Sequence, residues 1–433
     1  MISEIRKEVS TKQEQIAKNA RTLPTVSFTA MAYHIDLKWL YAAYKSVRHD
    51  GAVGIDGVTA EKYGENLKEN LSDLESRMKS GRYKAPPVRR VYIPKSKTEK
   101  RPIGIPTFED KVCQKAIQMV LDPLYEQDFY DFSYGFRMGK SQHMALDRIW
   151  NETMNMKGAY IIDLDISKYF DTIDHGLLRE VLKKRVRDGV IIRMIGKWLN
   201  AGVMERGQKL FPKKGSPQGG VISPVLSNVY LHEVLDSWFI KQVRPRLAGK
   251  ATMVRYADDA TLIFENENDL KRVMEVLPKR LLKYGLKMNE QKTKVRRFFP
   301  PGNSGEKSDT FEFLGFTHYW GKSRKGNWVI KRKTESKRLS RSLKAVAVWC
   351  KKNRHLPIHV QQQKLNIKLR GHYNYYGITP NSKSLAFFWE NVKKIWKKWL
   401  NRRSRNPHLN WDKFNMLLAR YPLSRPKIYH SST

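Results

Sequence analysis

Asp258 and Asp259 stand side by side in an otherwise apolar, β-prone run, Met253-Val-Arg-Tyr-Ala-Asp-Asp-Ala-Thr-Leu-Ile-Phe264. Adjacent carboxylates repel each other, and a divalent cation removes that cost. A second acidic segment lies upstream, Ala159-Tyr-Ile-Ile-Asp-Leu-Asp-Ile-Ser-Lys-Tyr-Phe-Asp171. There Asp163 and Asp165 share one face by the two-residue strand period. A carboxylate on an apolar strand is costly to bury unless it is paired or bound to metal. Two segments delivering carboxylates to one point make a hard-oxygen site suited to Mg²⁺. Mg²⁺ held by few carboxylates and by substrate phosphates is the usual arrangement for phosphoryl transfer. Two such ions, about 3.5–4 Å apart, stabilise the attacking and leaving oxygens of an in-line displacement. A lone Asp-Asp pair reads more simply as a solvated hairpin tip. The second acidic segment reverses that preference.

These residues need elements to position them. Met253–Tyr256 and Thr261–Phe264 read as two short strands, with Asp-Asp suiting the tight turn between them. Ala159 begins a strand rich in β-branched residues. Lys84 to Thr107 is basic and extended, since Pro86, Pro87, Pro94 and Pro102 argue against helix. Val112–Tyr125 has a helical apolar pattern. Pro300–Gly305 reads as a linker, and Gly321–Gly326 as a turn closing a hairpin before Trp328-Val-Ile330. Glu4 to Ala20 reads as a charged helix, expected to be anchored only when a partner is present. No internal repeat is found.

The chain has 433 residues, 82 basic and 42 acidic, for a net charge of +40. So large an excess implies an extended polyanion partner, most simply nucleic acid. No apolar run reaches 18 residues and no signal peptide is recognised, so a membrane partner is not expected and a cytoplasmic setting is. Cys113 and Cys350 are far apart, in helical contexts, and read as reduced core residues. From Lys322 to Arg405 there are 24 Lys and Arg against Glu335 and Glu390 alone. Trp389, Val392, Trp396 and Trp399 make one apolar helix stripe, read as core in preference to base stacking. Lys393, Lys394, Lys397 and Lys398 would then face a phosphate backbone.

Several motifs together resemble a known family. Tyr256-Ala-Asp-Asp259 looks like the signature hairpin of reverse transcriptases, and Asp165-Ile-Ser-Lys-Tyr-Phe-Asp171 like their first catalytic motif. Gly215-Ser-Pro-Gln-Gly-Gly-Val-Ile-Ser-Pro-Val-Leu-Ser-Asn228 is similar to the Ser-Pro-Gln-Gly motif of group II intron reverse transcriptases. Arg101-Pro-Ile-Gly-Ile-Pro-Thr107 with Glu109-Asp-Lys111 resembles their fingers motif. Tyr284–Lys294 and Phe313-Leu-Gly-Phe316 resemble their last palm motifs. Lys368-Leu-Arg-Gly-His-Tyr-Asn-Tyr-Tyr-Gly377 resembles the maturase, or thumb, motif, with His372 where an aromatic is more common. The order and spacing fit from about residue 35 to about residue 320, and six motifs in order are far more specific than any one.

The resemblance implies an α+β right-hand polymerase. Its parts would be an N-terminal extension (1–34), fingers (35–155), palm (156–320), an α-helical thumb or maturase domain (321–400) and a short C-terminal DNA-binding tail (401–433). It implies a compact form lacking the His-Asn-His endonuclease. The metal ligands would be Asp165, Asp258 and Asp259 with the backbone carbonyl of Ile166, Asp163 remaining the alternative on the same strand face. The cofactor would be two Mg²⁺ ions, with Mn²⁺ as a substitute. Lys95 and Arg101 would meet the triphosphate. Tyr169 would pack under the sugar and exclude a 2′-hydroxyl, the other reading being an ordinary core aromatic. Gln218 would lie near the nascent pair, and Lys292 would contact primer or triphosphate. Lys368, Arg370, Lys393, Lys394, Lys397, Lys398, Arg402 and Arg403 would bind nucleic acid. Expected partners are a group II intron RNA, target DNA and dNTPs. The expected function is RNA-templated DNA synthesis, with intron binding for splicing and for retrohoming by target-primed reverse transcription. Two alternatives stay open: a domesticated reverse transcriptase for repair, phage defence or CRISPR spacer acquisition, and a splicing factor without polymerase activity.

Overall fold

The basic, proline-punctuated stretch forms a hairpin, β1 (Val88–Pro94) and β2 (Lys100–Ile105), paired antiparallel from Arg89↔Ile105 to Pro94↔Lys100. Pro94 sits at a strand end and Pro102 on β2, an edge strand of its sheet, where a missing N–H costs no ladder bond. This computed structural model describes residues 2–94, 99–205, 208–210, 215, 219–302, 308–404 and 409–431. The chain divides into two compact units that interleave in sequence: Met1–Ser141 with Leu164–Lys294, and Gln142–Asp163 with Val295–Thr433. It passes between them within β3 (Ala159–Leu164) and at the start of β8 (Lys294–Phe298).

In the first unit, β1 also pairs in parallel with β4 (Val203–Glu205), which turns back into β5 (Gln208–Leu210), giving the order β2-β1-β4-β5. The helix Phe108–Tyr125 is the spine of this unit. Thr107 caps it by accepting from the Asp110 amide, and Val112, Cys113, Ala116, Ile117, Val120, Leu121 and Leu124 are all buried. A buried carboxylate, Asp110, accepts from the Tyr83 hydroxyl (2.6 Å), the Trp198 indole (2.6 Å) and the Gln114 amide (3.0 Å). Burial pushes its carboxyl up to about 6.

The N-terminal helix, Ile2–Thr22, corrects one expectation: it is docked on the protein's own body without any partner. Val9, Ile16 and Ala20 are buried, and Gln13 donates to the Met119 carbonyl (2.9 Å). Its C-terminal end and the chain just after it are held by buried Arg185, which donates to Ala20 O (3.2 Å), Leu23 O (2.8 Å) and Val26 O (2.7 Å) and pairs with Asp128 (2.8 Å). Arg185 lies more than 150 residues away, so nothing local announces the anchor.

β6 (Ala251–Tyr256) and β7 (Asp259–Phe264) form the expected hairpin, in register from Ala251↔Phe264 to Tyr256↔Asp259, but the turn is Ala257-Asp258 and not Asp258-Asp259, because Asp259 already pairs as the first residue of β7. Upstream, the helix Ser223–Leu231 continues into two wider π turns, His232–Asp236 and Phe239–Val243.

In the second unit, β9 (Phe311–Phe313), β10 (Phe316–Lys322) and β11 (Trp328–Thr334) form a sheet ordered β11-β10-β9, with the expected turn between β10 and β11. Four α-helices follow among the described residues: Ser336–Asn353, Ile358–Tyr376, Ser382–Leu400 and Trp411–Arg420. Their shared core includes Cys350, Leu365, Leu369, Tyr373, Phe388, Val392, Trp396 and Phe414. His372 stacks on Phe388 with ring centroids 3.8 Å apart, so it occupies an aromatic's place in this core. Burial holds its imidazole down at about 4. Cys113 and Cys350 are free thiols, both buried.

Candidate active site

The β6–β7 turn is a two-residue loop, Ala257-Asp258, closed by the Tyr256↔Asp259 pair. Ala257 has φ +57°, the left-handed region usually left to glycine. Something must hold a residue with a Cβ there, and that residue is Arg255. Its guanidinium is fully buried and donates to Ala257 O (2.9 Å), Asn228 Oδ1 (3.0 Å), Ser133 Oγ (2.7 Å) and both Asp236 oxygens (2.8 and 2.6 Å). Asp236, at the end of the first π turn, is equally buried. From the other side, Gly135 presses on the turn so closely that a Cβ there would overlap the backbone nitrogen of Ala257. Asn228 donates to the Gly135 carbonyl (2.7 Å), and Tyr134 N to the Arg255 carbonyl (2.8 Å). The acidic turn is thus braced by a buried ion pair and a backbone wedge.

Asp165 follows directly on β3. The Asn289 amide donates to its carbonyl (2.8 Å) and Ser167 N donates to Lys287 O (2.8 Å), an antiparallel bridge centred on Ile166 and Met288. The Asp165 amide donates to Thr293 Oγ1 (3.2 Å). The Asn-Glu-Gln-Lys-Thr segment therefore fixes the backbone that carries this carboxylate. Lys292, exposed, stands one residue from that contact.

Electrostatics bring the two acidic segments together. Asp258 is raised above the usual carboxylate range, first by burial and also by repulsion from Asp165, while Arg101 and Arg255 pull it down. Asp165 and Arg101 thus lie within electrostatic reach of Asp258. Arg101, on β2, has its side chain exposed. Asp258 is half-buried and Asp259, the first residue of β7, is exposed. Among the described residues no three His, Cys, Asp or Glu side chains converge as a preformed cage. What comes together is a carboxylate pair whose repulsion Arg101 and Arg255 only partly offset, with a third carboxylate next in sequence. That fits a divalent cation held by one or two carboxylates, with its other positions left to water and substrate phosphates.

The other expected residues fall out differently. Lys95 and Gln218 lie outside the described residues. Just after Gln218, Gly219 (φ +109°) approaches β2 so closely that a Cβ would lie 2.6 Å from Gly104 O. Tyr169 is 2% exposed and its hydroxyl donates to Ser227 O (2.9 Å). The ring is therefore almost wholly enclosed. The next ring, Phe170, sits edge-on to it at 5.1 Å and is half-buried. Asp174 caps the helix His175–Lys183, accepting from Gly176 N and Leu177 N. In the second unit, Lys368, Arg370, Lys394, Lys398 and Arg402 are exposed. Lys393 lies 3.8 Å over the Trp389 ring and pairs with Glu390, and Lys397 lies over Trp411 (4.9 Å). Arg403 donates to the His355 and Leu356 carbonyls. Trp396 is fully buried and donates to Gln361 Oε1 (3.0 Å), as a core residue should. Sequence reasoning missed Arg255, Asp236, Asn228 and Gly135. The one available signal was a charged residue, Arg255, inside an apolar strand.

A paired-carboxylate site with a nearby guanidinium defines an enzyme of phosphoryl or nucleotidyl transfer. Comparison with known proteins sharpens this. A family model described as reverse transcriptase (RNA-dependent DNA polymerase) matches residues 93–318, just over half of the chain. Protein YkfC of Escherichia coli (strain K12) is 32% identical over 358 residues, 74% of this chain and 91% of that protein. The group II intron-encoded protein LtrA of Lactococcus lactis subsp. cremoris is 33% identical over 268 residues, 61% of this chain and 43% of its own length. The putative COX1/OXI3 intron 1 protein of Saccharomyces cerevisiae is 30% identical over 306 residues, 59% of this chain and 36% of its own length. The chain thus spans less than half of these two intron proteins. It belongs to the reverse transcriptase family and is an RNA-directed DNA polymerase by that membership. No helix among the described residues is long and apolar enough to cross a membrane.

Proposed function

We propose that this protein copies RNA into DNA at the β6–β7 turn and also binds a group II intron RNA, assisting its splicing and mobility. The observation that carries the first part is the braced turn that presents Asp258 and Asp259, with Asp165 and Arg101 in electrostatic reach of it. In the reaction the primer 3′-hydroxyl attacks the α-phosphate of a dNTP. A P–O bond to the primer forms, the bond to pyrophosphate breaks, and the hydroxyl proton passes to solvent. Asp165, Asp258 and Asp259, with the Ile166 carbonyl, would hold two Mg²⁺ ions, which supply Lewis-acid charge for such a displacement when bound. Arg101 neutralises charge on the departing pyrophosphate. Lys292 and Lys95 are assigned to primer or triphosphate, and Gln218 to the nascent pair.

Residues 35–155 are read as fingers, 156–320 as palm, 321–400 as thumb and 401–433 as a DNA-binding tail. The exposed cations Lys368, Arg370, Lys394, Lys398 and Arg402 would track the RNA backbone, which asks only for a basic surface matched to RNA shape. Similarity to proteins named as intron-encoded supports the intron RNA as that partner. The test is primer extension on an RNA template with dNTPs and Mg²⁺, beside binding and splicing of the RNA encoded around the gene. Extension with tight binding and faster splicing is expected. Extension with no effect on that RNA would reject the intron role, and binding without extension would reject the polymerase role.

A further inference from the structure

Phe136 combines two features that cost stability. Its φ is +59°, a region a bulky L residue rarely enters, and its side chain is 58% exposed. The loop cannot relax it, because both neighbours are pinned. Arg137 is buried and donates to Glu126 (3.0 and 2.7 Å), Tyr130 O (2.6 Å) and Ser133 O (2.6 Å). Gly135 is wedged against the Tyr256–Ala257 backbone, with its carbonyl held by Asn228. Phe136 is therefore one residue from a backbone contact with the turn that presents Asp258. Met138, two residues on, is 84% exposed.

A large ring kept wet on a strained, pinned backbone calls for an occupant of its face. The occupant must come to the carboxylate turn, must carry flat apolar surface, and must suit a protein of net charge +40. We infer that Phe136 is a stacking platform for a nucleobase of the primer–template beside the carboxylates, an inference that rests on the polymerase reading above. Every base offers a π-face, so such a platform supports any sequence. The rigid loop spares the entropy of ordering the ring at binding.

The test uses the full chain and a primer–template duplex with 2-aminopurine in the template near the primer end. Three variants are compared with wild type: F136G, F136L and F136W. F136G releases the left-handed strain, so its melting temperature should stay level or rise. Its affinity for the duplex should fall at least about fivefold, the low end of what one base–aromatic stack supplies. Its 2-aminopurine fluorescence in the complex should rise as the stack is lost. F136L, apolar but without a ring, should behave like F136G in binding, and F136W should match wild type. Unchanged affinity and fluorescence in F136G would overturn the inference. F136L indistinguishable from wild type would overturn it too, showing that the site wants only apolar contact, as a protein partner would. Wild-type extension of the same duplex is read in parallel. Its absence would reject the polymerase reading, whereas extension with ring-independent binding would reject the platform alone.

Discussion

The carboxylate turn and the basic helices between residues 336 and 400 carry charge by opposite means. At the turn, negative charge is set on a backbone that is itself held by buried charge. Arg255 and Asp236 are both 0% exposed, and their pairing fixes Ala257 in a conformation it would not choose. In the helices, positive charge is spread over the outside of an aromatic core. Some lysines are tethered to indole faces and others are left open to solvent. The first arrangement concentrates its dependence on few residues, the second distributes it. Chemistry at one phosphorus needs the former, because small displacements are costly in rate. Tracking a polyanion needs only the latter.

The largest effect should come from breaking the brace. Asp236→Asn leaves Arg255 buried without its counter-charge, costing about 3–5 kcal/mol of stability. Where the protein still folds, primer extension should drop about 100-fold through displacement of the turn. A stable variant with wild-type extension would show that the turn holds its own geometry.

Next are the adjacent rings Tyr169 and Phe170, the second of which we assign to sugar selection. Tyr169→Ala should act as a core truncation, lowering stability by about 3–5 kcal/mol. Phe170→Ala should instead raise rNTP incorporation relative to dNTP. If Tyr169→Ala stays stable and relaxes sugar selection, the role returns to Tyr169.

The helices should respond gradually. Lys394→Ala or Lys398→Ala should each reduce the slope of log K against log salt for structured RNA by about 1. Lys393→Ala and Lys397→Ala should change it less, because those lysines already lie over tryptophans. Equal effects from all four would remove the distinction between tethered and open cations.

The smallest effect concerns acid stability. His372 is held near 4 in the fold, below its usual value of about 6.5. A depressed folded value means that its contribution is fully present above about pH 6.5. It is lost as pH falls toward 4, because the unfolded chain takes up the proton first. His372→Phe should remove that loss, worth about 1–3 kcal/mol, and flatten the melting temperature between pH 7 and pH 4. Parallel curves for the two proteins would contradict the stacked, neutral histidine.

What was legible in the sequence was local. The apolar, β-prone run around Asp258-Asp259 marked the hairpin, prolines ruled out helix near β1 and β2, and the Trp stripe marked the helical core. What was illegible depended on distance. Arg255 meets partners 19, 27 and 122 residues away, and no period in its own strand reports them. The N-terminal helix looked unanchored because Arg185, its clamp, belongs to another part of the chain. Tyr169 and Phe170 are adjacent aromatics, and spacing alone does not say which one turns inward. The backbone at Phe136 carries no composition signal.

The measurement closest to the centre of this account is primer extension and RNA binding by one variant, Asp258→Asn with Asp259→Asn. Extension should vanish while the affinity for structured RNA and its salt slope remain those of wild type. Extension that persists would contradict the carboxylate turn as the reaction centre, and parallel loss of extension and binding would show that these carboxylates serve the fold.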